Sequence, residues 1–226
     1  MSQATLLLRL EGPLQSWGYR SRFGDRDTGL EPTKSGVFGL LCCALGRDRS
    51  EPLDDLRSLK MHVRVDRQGR LVQDFQTAGA GRFRGSETYG APRSSGAKSK
   101  DAILMAKHYL QDASFLVALE GDRSLLEQLA AALLDPFWPL SLGRRSCPPA
   151  QPVLVGIREA DAIRALKTEP RSERSDKGSL RLVKELEPDH FQGEPRPDIP
   201  MAWPDRQTRV YASRSVASEL MDEVQA

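Results

Sequence analysis

The sequence predicts an α+β fold of the ferredoxin-like, RRM-like type, and three observations predict it. An apolar strand at the N-terminus leads into a capped apolar helix; extended segments occupy the middle; and a second amphipathic helix follows them near residue 130. Strand, helix, strands, helix, with a further strand returning, is the order of a split βαβ unit, in which the helices cover one face of an antiparallel sheet. That architecture is shared with RRM-type RNA binders.

Each element has its own warrant. Ala4 to Leu10 is a buried strand, since its apolar run is short and nearly continuous. Thr33 to Leu45 reads as a helix, with Thr33 or Ser35 as cap, Val37, Phe38, Leu40, Leu41 and Leu45 on the apolar side, and Gly46 closing it. Met61 to Asp66 alternates apolar and polar residues, Arg67-Gln68-Gly69-Arg70 supplies a turn, and Leu71 to Phe75 resumes the extended pattern, so a hairpin is expected. Ile103 to Leu110 and Ser114 to Glu120 read as strands divided by a turn at Gln111-Asp112. Arg123 to Leu134 is a helix with Leu125, Leu126, Leu129, Ala130 and Leu133 on one face, and Pro152 to Gly156 returns as a last strand. From Thr168 to Arg209 the chain is rich in Pro, Gly and charge, with only Leu180 to Leu186 and Val210-Tyr211 extended, so a tail that packs loosely, or on the core or on partners, is expected. The resulting division is a domain over 1–155 interrupted by an insertion at about 78–102, then an extension over 156–226.

Composition narrows the function classes. At 226 residues the chain is long enough to bury a real core. No apolar run approaches the roughly 18 residues of a membrane span, and the N-terminus lacks the basic start and small-residue cleavage site of a signal peptide, so a cytosolic protein without membrane contact is expected. Cys42, Cys43 and Cys147 match neither a disulfide framework nor a zinc spacing and read as reduced thiols. No metal or cofactor is expected, because His62 and His190 have no companions at ligand spacing. Net charge is only +2, but between Ala78 and His108 the cations Arg82, Arg84, Arg93, Lys98, Lys100 and Lys107 face only Glu87 and Asp101. With its five glycines and four serines, that stretch reads as an exposed basic arm. It interrupts a sheet instead of joining domains, which favours a long β-hairpin protrusion.

Several constellations carry chemistry. Gly12 to Gly18 follows a strand, but it has neither the P-loop nor the dinucleotide pattern, which argues against nucleotide triphosphate chemistry; Pro13, Leu14 and Trp17 there suit packing at the sheet's end. Tyr19, Arg20, Arg22 and Arg26 interleave an aromatic ring with guanidinium groups as a nucleic-acid groove does, and equally suit a solvated loop paired with Asp25, Asp27 and Glu31. Lys34, at a helix N-terminus, can add its charge to that end and attract phosphate, although a plain surface lysine is the commoner case. Lys107-His108-Tyr109 holds the groups that RNA cleavage through a 2′-hydroxyl needs, a base, an acid and a cation. On a strand, however, Lys107 and Tyr109 share one face and His108 points to the other.

Leu-Leu-Leu-Arg-Leu-Glu-Gly-Pro-Leu-Gln-Ser-Trp-Gly at Leu6 to Gly18, followed by Pro-Thr-Lys-Ser-Gly-Val-Phe-Gly-Leu-Leu at Pro32 to Leu41, resembles the CasD subunits of type I-E CRISPR Cascade complexes, a family of the repeat-associated RNA-binding (RAMP) superfamily. The resemblance covers roughly the first 150 residues. It implies a noncatalytic RNA-binding subunit that grips the 5′ handle of the CRISPR RNA (crRNA) and caps the backbone subunits of an antiviral ribonucleoprotein. The implied partners are the crRNA, the backbone subunit CasC and the large subunit CasA, with target DNA met only through the assembled complex. It makes the insertion a thumb over the guide RNA, with Arg82, Phe83, Arg84, Tyr89 and Arg93 as stacking and phosphate-binding candidates. It also raises Trp17, and Arg144 and Arg145 in the Gly-Arg-Arg-Ser-Cys-Pro-Pro loop, to residues that shape or contact an RNA cleft, with Lys107 and His108 touching RNA or the fold. Two competing expectations stand: a metal-independent endoribonuclease that processes repeat RNA with His108, Lys107 and Tyr19 as its catalytic groups, and a protein-only scaffold whose basic arm binds an acidic partner surface.

Overall fold

A computed structural model describes residues 4–18, 25–79, 90–92, 95–97, 101–187, 193–201 and 210–221. In chain order the elements are β1 (Ala4–Glu11), β2 (Leu14–Gln15), β3 (Asp25–Arg26), α1 (Lys34–Leu45), α2 (Asp54–Arg57), β4 (Lys60–Arg67), β5 (Arg70–Ala78), β6 (Ile103–Gln111) and β7 (Ser114–Gly121). After them come α3 (Arg123–Leu134), β8 (Leu154–Arg158), α4 (Ala162–Thr168), β9 (Leu180–Glu185), β10 (Glu194–Pro200) and β11 (Tyr211–Met221). The fold is mixed α+β and mostly sheet. One seven-stranded sheet runs β10-β11-β9-β4-β7-β1-β8, and β5, β6, β2 and β3 form a smaller one.

The run Leu6-Leu7-Leu8 at the centre of β1 is apolar at every position because both faces of the large sheet are covered. Leu6, Leu8 and Leu10 pack with α1 and α3 in the main core, while Leu7 joins Leu116, Leu182 and Leu166 under α4. The three longest helices begin with a side-chain cap: Thr33 accepts from the Gly36 amide, Asp122 from Leu125, and Asp161 from Arg164. Gly46, at φ 72°, closes α1 as expected.

Two expectations are corrected. The first is the hairpin at residues 61–75, which does not form. β4 pairs with β7 and β9, whereas β5 pairs with β6 from Arg70↔Gln111 to Ala78↔Ile103. The two pairings join into one long bent ribbon whose distal part leaves the large sheet as an arm. Gly69 (φ 73°) and Asp112 (φ 55°) sit at facing positions of the bend, and a Cβ at Gly69 would meet the Gln111 carbonyl oxygen at 2.6 Å. The turn residues at 67–70 are therefore real, but they bend the ribbon and do not reverse the chain. Residues 80–89, 93–94 and 98–100, where the hairpin protrusion is expected from sequence, lie outside the described residues.

The second correction concerns the tail. The domain boundary drawn at residue 155 falls inside β8, and of the arrangements expected for the tail the structure has packing on the core, not loose packing: β9, β10 and β11 complete the large sheet. Buried charge makes this possible. Arg64 and Asp66, on what reads in sequence as the polar face of a strand, are fully buried. Arg64 donates to Asp66 Oδ1 at 2.6 Å and to the carbonyls of Leu166, Glu169 (2.6 Å) and Pro170 (3.1 Å), which satisfies the C-terminal end of α4. On the far side, Arg214 of β11 donates to Asp198 of β10 at 2.7 and 2.9 Å and to Glu185 of β9 at 3.1 Å.

These buried groups predict acid sensitivity. Burial pushes His62 below its ordinary 6.5. Glu31 is held below its ordinary 4.5: burial opposes this, but the hydrogen bond from Arg181 and the charge of Arg196 outweigh it. Both folded-state shifts are downward, so each contributes stability above its ordinary value and loses it as pH falls through its folded value. Urea unfolding followed from pH 7 to 4 is expected to show stability falling first below about 6.5 and then more steeply below about 4.5. His62→Leu should flatten the first part; an unchanged profile would remove His62 from the account.

Candidate nucleic-acid interface

The Gly12–Gly18 loop is held by buried hydrogen bonds. Gln15, fully buried, donates to the carbonyls of Leu10 (3.1 Å) and Ala113 (2.8 Å) and accepts from the Trp17 indole at 3.0 Å. Trp17 is a core residue; its ring lies so close to α1 that a Cβ at Gly36 would approach it to 2.7 Å. It shapes the cleft from beneath. Ser16 donates from its amide to Leu142 at 3.1 Å and from its hydroxyl to the His108 carbonyl at 3.2 Å. This loop, β6 and the Gly-Arg-Arg loop are thereby fixed as one surface.

Arg144 and Arg145 separate sharply. Arg144 donates to the carbonyls of His108 (3.1 Å), Arg26 (2.8 Å) and Asp27 (3.1 Å), and its guanidinium lies 4.7 Å from the centre of the Tyr109 ring. It is a strut between β3, β6 and its own loop. Arg145 is exposed and has no carboxylate within ion-pair distance among the described residues. With Arg49, Trp17, Phe38, Trp138 and Tyr211 it lines a cleft of about 680 Å³ that also reaches Gly39 on α1 and Pro200 at the end of β10. The C-terminal strands thus supply one wall.

The other predicted residues distribute unevenly. Lys34 corrects its expectation: it is buried, and its ammonium is bound to Glu185 at 2.7 Å while its amide donates to Asp198 at 2.8 Å. A carboxylate of this chain therefore already occupies the positive end of α1. Arg26 is exposed on β3 beside Lys107 of β6. Lys107 donates to Gln76 at 2.6 Å along the arm, whereas His108 Nδ1 lies 3.7 Å from Asp25, too far for a hydrogen bond. Tyr19, Arg20, Arg22, Arg82, Phe83, Arg84, Tyr89 and Arg93 lie outside the described residues. Sequence reasoning missed Arg49 and Trp138. The Pro-Phe-Trp-Pro run at 136–139 is the signal that marks the second, since large aromatics between prolines sit on a surface turn.

Little in the site suggests other chemistry. Burial pushes the Cys42 thiol up to about 11, away from nucleophilic use. No group of three or more potential metal ligands, and no helix long and apolar enough to cross a membrane, occurs among the described residues.

The family model described as CRISPR-associated protein (Cas_Cas5) matches residues 5–217. The chain belongs to this Cas5 family. The CRISPR system Cascade subunit CasD of Escherichia coli (strain K12) is 37% identical over 163 residues, covering 69% of this chain and 71% of the relative. Among solved structures, a chain from a "CRISPR RNA-guided surveillance complex" superposes with a TM-score of 0.80 at 33% identity, covering 96% of this chain and 90% of that one. Another, described as "Crystal structure of Cas protein", gives 0.71 at 39% identity, covering 96% and 95%. The Cas5-family match extends past residue 200, beyond the first 150 residues whose motifs carry the resemblance in sequence.

Proposed function

We propose that this Cas5-family chain is a noncatalytic RNA-binding subunit of a type I-E CRISPR surveillance complex. It holds the 5′ handle of the crRNA and caps the backbone filament. The observation that carries the reading is the cleft beside the braced Gly12–Gly18 and Gly-Arg-Arg loops, with the exposed Arg145 at its rim. Proteins read RNA sequence mainly on splayed single-stranded bases, and a cleft with aromatic walls and cationic rims suits that task. The family and the CasD relative support the complex. In this reading the core is a ferredoxin-like RAMP domain, and the β5–β6 arm is the base of a thumb that follows the guide. CasC and CasA are the neighbouring subunits, target DNA is met only through the assembly, and the particle works in the cytoplasm. Lys107 is bound to Gln76 at 2.6 Å, and neither that contact nor the family match gives support to the nuclease reading.

The test is incubation of the chain, alone and with its partner subunits, with labelled repeat RNA in EDTA. Salt-sensitive retention of handle-bearing RNA at unchanged length is expected; a defined product abolished by His108→Ala would replace this reading with the nuclease. The two arginines should also separate. Arg145→Ala is expected to weaken binding and reduce the slope of log affinity against log salt by about 0.7 for one lost phosphate contact, with thermal stability unchanged. Arg144→Ala should instead lower stability by about 1–3 kcal/mol, because three carbonyls lose a charged donor. Equal salt slopes for wild type and Arg145→Ala would remove Arg145 from the interface.

A further inference from the structure

Trp138 is held more firmly than an incidental surface aromatic. Its amide donates to the Cys43 carbonyl at 3.1 Å, and the Phe137 amide donates to Ala44 at 3.0 Å, so the Pro-Phe-Trp-Pro turn satisfies carbonyls in the last turn of α1. The Phe137 ring covers Gly46 closely enough that a Cβ there would lie 2.7 Å from it. That ring meets the Trp138 indole edge-to-face, with centroids 5.0 Å apart and planes at 89°. The backbone is fixed and the indole has one ring contact, to a Phe137 that is itself exposed, while 41% of Trp138 is open on the wall of the 680 Å³ cleft.

Exposure alone would mean little, since single exposed apolar residues are normal. The charges around the indole decide its use. Three arginines line the same cleft. Arg47 is committed to Asp55 through two hydrogen bonds of 2.8 and 2.5 Å. Arg49 and Arg145 are both exposed and have no carboxylate within ion-pair distance among the described residues. Asp48, the acidic residue of the lining, accepts from the Ser50 amide and hydroxyl at 3.1 and 2.9 Å. On α1, Gly39 presents no side chain and has nothing within 4 Å of its Cβ position, which leaves a smooth floor. A protein anchor pocket would favour an apolar surround without uncompensated charge. A flat π-face in the same cleft as two open guanidinium groups matches a base with its flanking phosphates.

We propose that the Trp138 indole is a stacking platform for one unstacked base of single-stranded RNA, with Arg49 and Arg145 taking the phosphates on either side. The assignment rests on the RNA-binding reading above and adds to it a specific nucleotide seat. Phe137 acts as a positioning residue, since it braces the indole without reaching the cleft.

The experiment titrates the full chain with a handle-bearing oligoribonucleotide, following intrinsic fluorescence and retention, for wild type, Trp138→Ala, Trp138→Phe and Arg49→Ala. Stacking is expected to quench the wild-type emission, and Trp138→Ala should remove most of that quench. Trp138→Ala should also bind about 5–150-fold more weakly, the equivalent of 1–3 kcal/mol per stacked base, with its salt slope unchanged. Trp138→Phe, which keeps a flat ring, should recover most of the affinity, whereas Arg49→Ala should reduce the salt slope. Thermal melts of each variant identify any loss caused by misfolding. Wild-type retention matched by Trp138→Ala, with equal quenching, would overturn the platform and leave the RNA-binding reading standing. Absence of wild-type retention would overturn both. Undiminished RNA binding by Trp138→Ala, combined with loss of co-purification with partner subunits, would reassign the residue to a protein contact.

Discussion

Arg214→Ala is expected to lower stability by about 3–5 kcal/mol, the usual cost of removing one partner from a buried ion pair. At roughly 2–4 °C per kcal/mol for a chain of this size, the melting temperature should fall by about 6–20 °C. Arg214 is 7% exposed, and its guanidinium links Asp198, Glu185 and the Met61 carbonyl, at the junction of β10, β11, β9 and β4. Glu185 retains Lys34 and the Met61 amide after the substitution, and Asp198 retains the Lys34 amide, so the lower half of the range is the better expectation. Thermal melting at neutral pH reads the effect. A partner change tests its cause: Arg214→Met with Asp198→Asn should cost less than Arg214→Ala, because no unpaired charge then stays buried at that pair. A drop of under about 1 kcal/mol for Arg214→Ala would show that the network is dispensable. The consequence extends to the cleft, since Pro200 and Tyr211, paired at the end of the same ribbon, form its far wall.

That network also explains which parts of the fold were legible in the sequence. α1 and α3 could be read directly, because apolar spacing and capping residues, Thr33 with Gly46 and Asp122, agree with the final packing. β10 and β11 could not. Glu-Pro-Arg-Pro-Asp-Ile-Pro carries three prolines and reads as tail, but β10 is the edge strand of its sheet, where proline is tolerated. β11 shows little apolar alternation, since one of its buried inward groups is Arg214, and a lone arginine in sequence gives no sign of the two carboxylates it will meet. His62, Arg64 and Asp66 mislead in the same way: they alternate with apolar residues as a solvent-facing side would, and are buried by a chain segment a hundred residues away. The bend at 67–70 failed for a different reason. Gly69 signals a left-handed backbone, which a reversal and a kink require equally, and only the partner strand decides between them.

For the candidate site, the order Gly12–Gly18, α1 and Gly-Arg-Arg was visible, but the roles within it were not. Arg144 and Arg145 are identical in sequence terms, and one is turned inward onto three carbonyls while the other faces the cleft. Lys34 read as a phosphate candidate because its place at the start of α1 was legible; Glu185 and Asp198, which occupy it, come from strands that were not.

The glycine of the same loop should be the most sensitive point of the interface. Gly143 has φ 88°, and a Cβ there would lie 1.8 Å from the Ser16 carbonyl oxygen and 2.8 Å from its carbon. The left-handed backbone alone costs an alanine about 1–2 kcal/mol. The contact adds more, because both atoms it meets are backbone and cannot rotate away. Gly143→Ala must therefore separate the Gly-Arg-Arg loop from the Gly12–Gly18 loop, breaking the Ser16 amide bond to Leu142 and pulling Arg144 off the His108 carbonyl. Handle-RNA affinity is expected to fall further than in Arg145→Ala, since the whole rim moves and not one charge. Gly39→Ala calibrates the melts alone, since Gly39 also floors the cleft: it lies inside α1 with open space at its Cβ, so the fold should be stabilised by up to about 1 kcal/mol. Melting and RNA-binding curves of Gly143→Ala against wild type and Arg145→Ala decide the matter. Gly143→Ala matching wild type in both would mean the loops can part freely, and the braced surface that supports the proposed cleft would lose its basis.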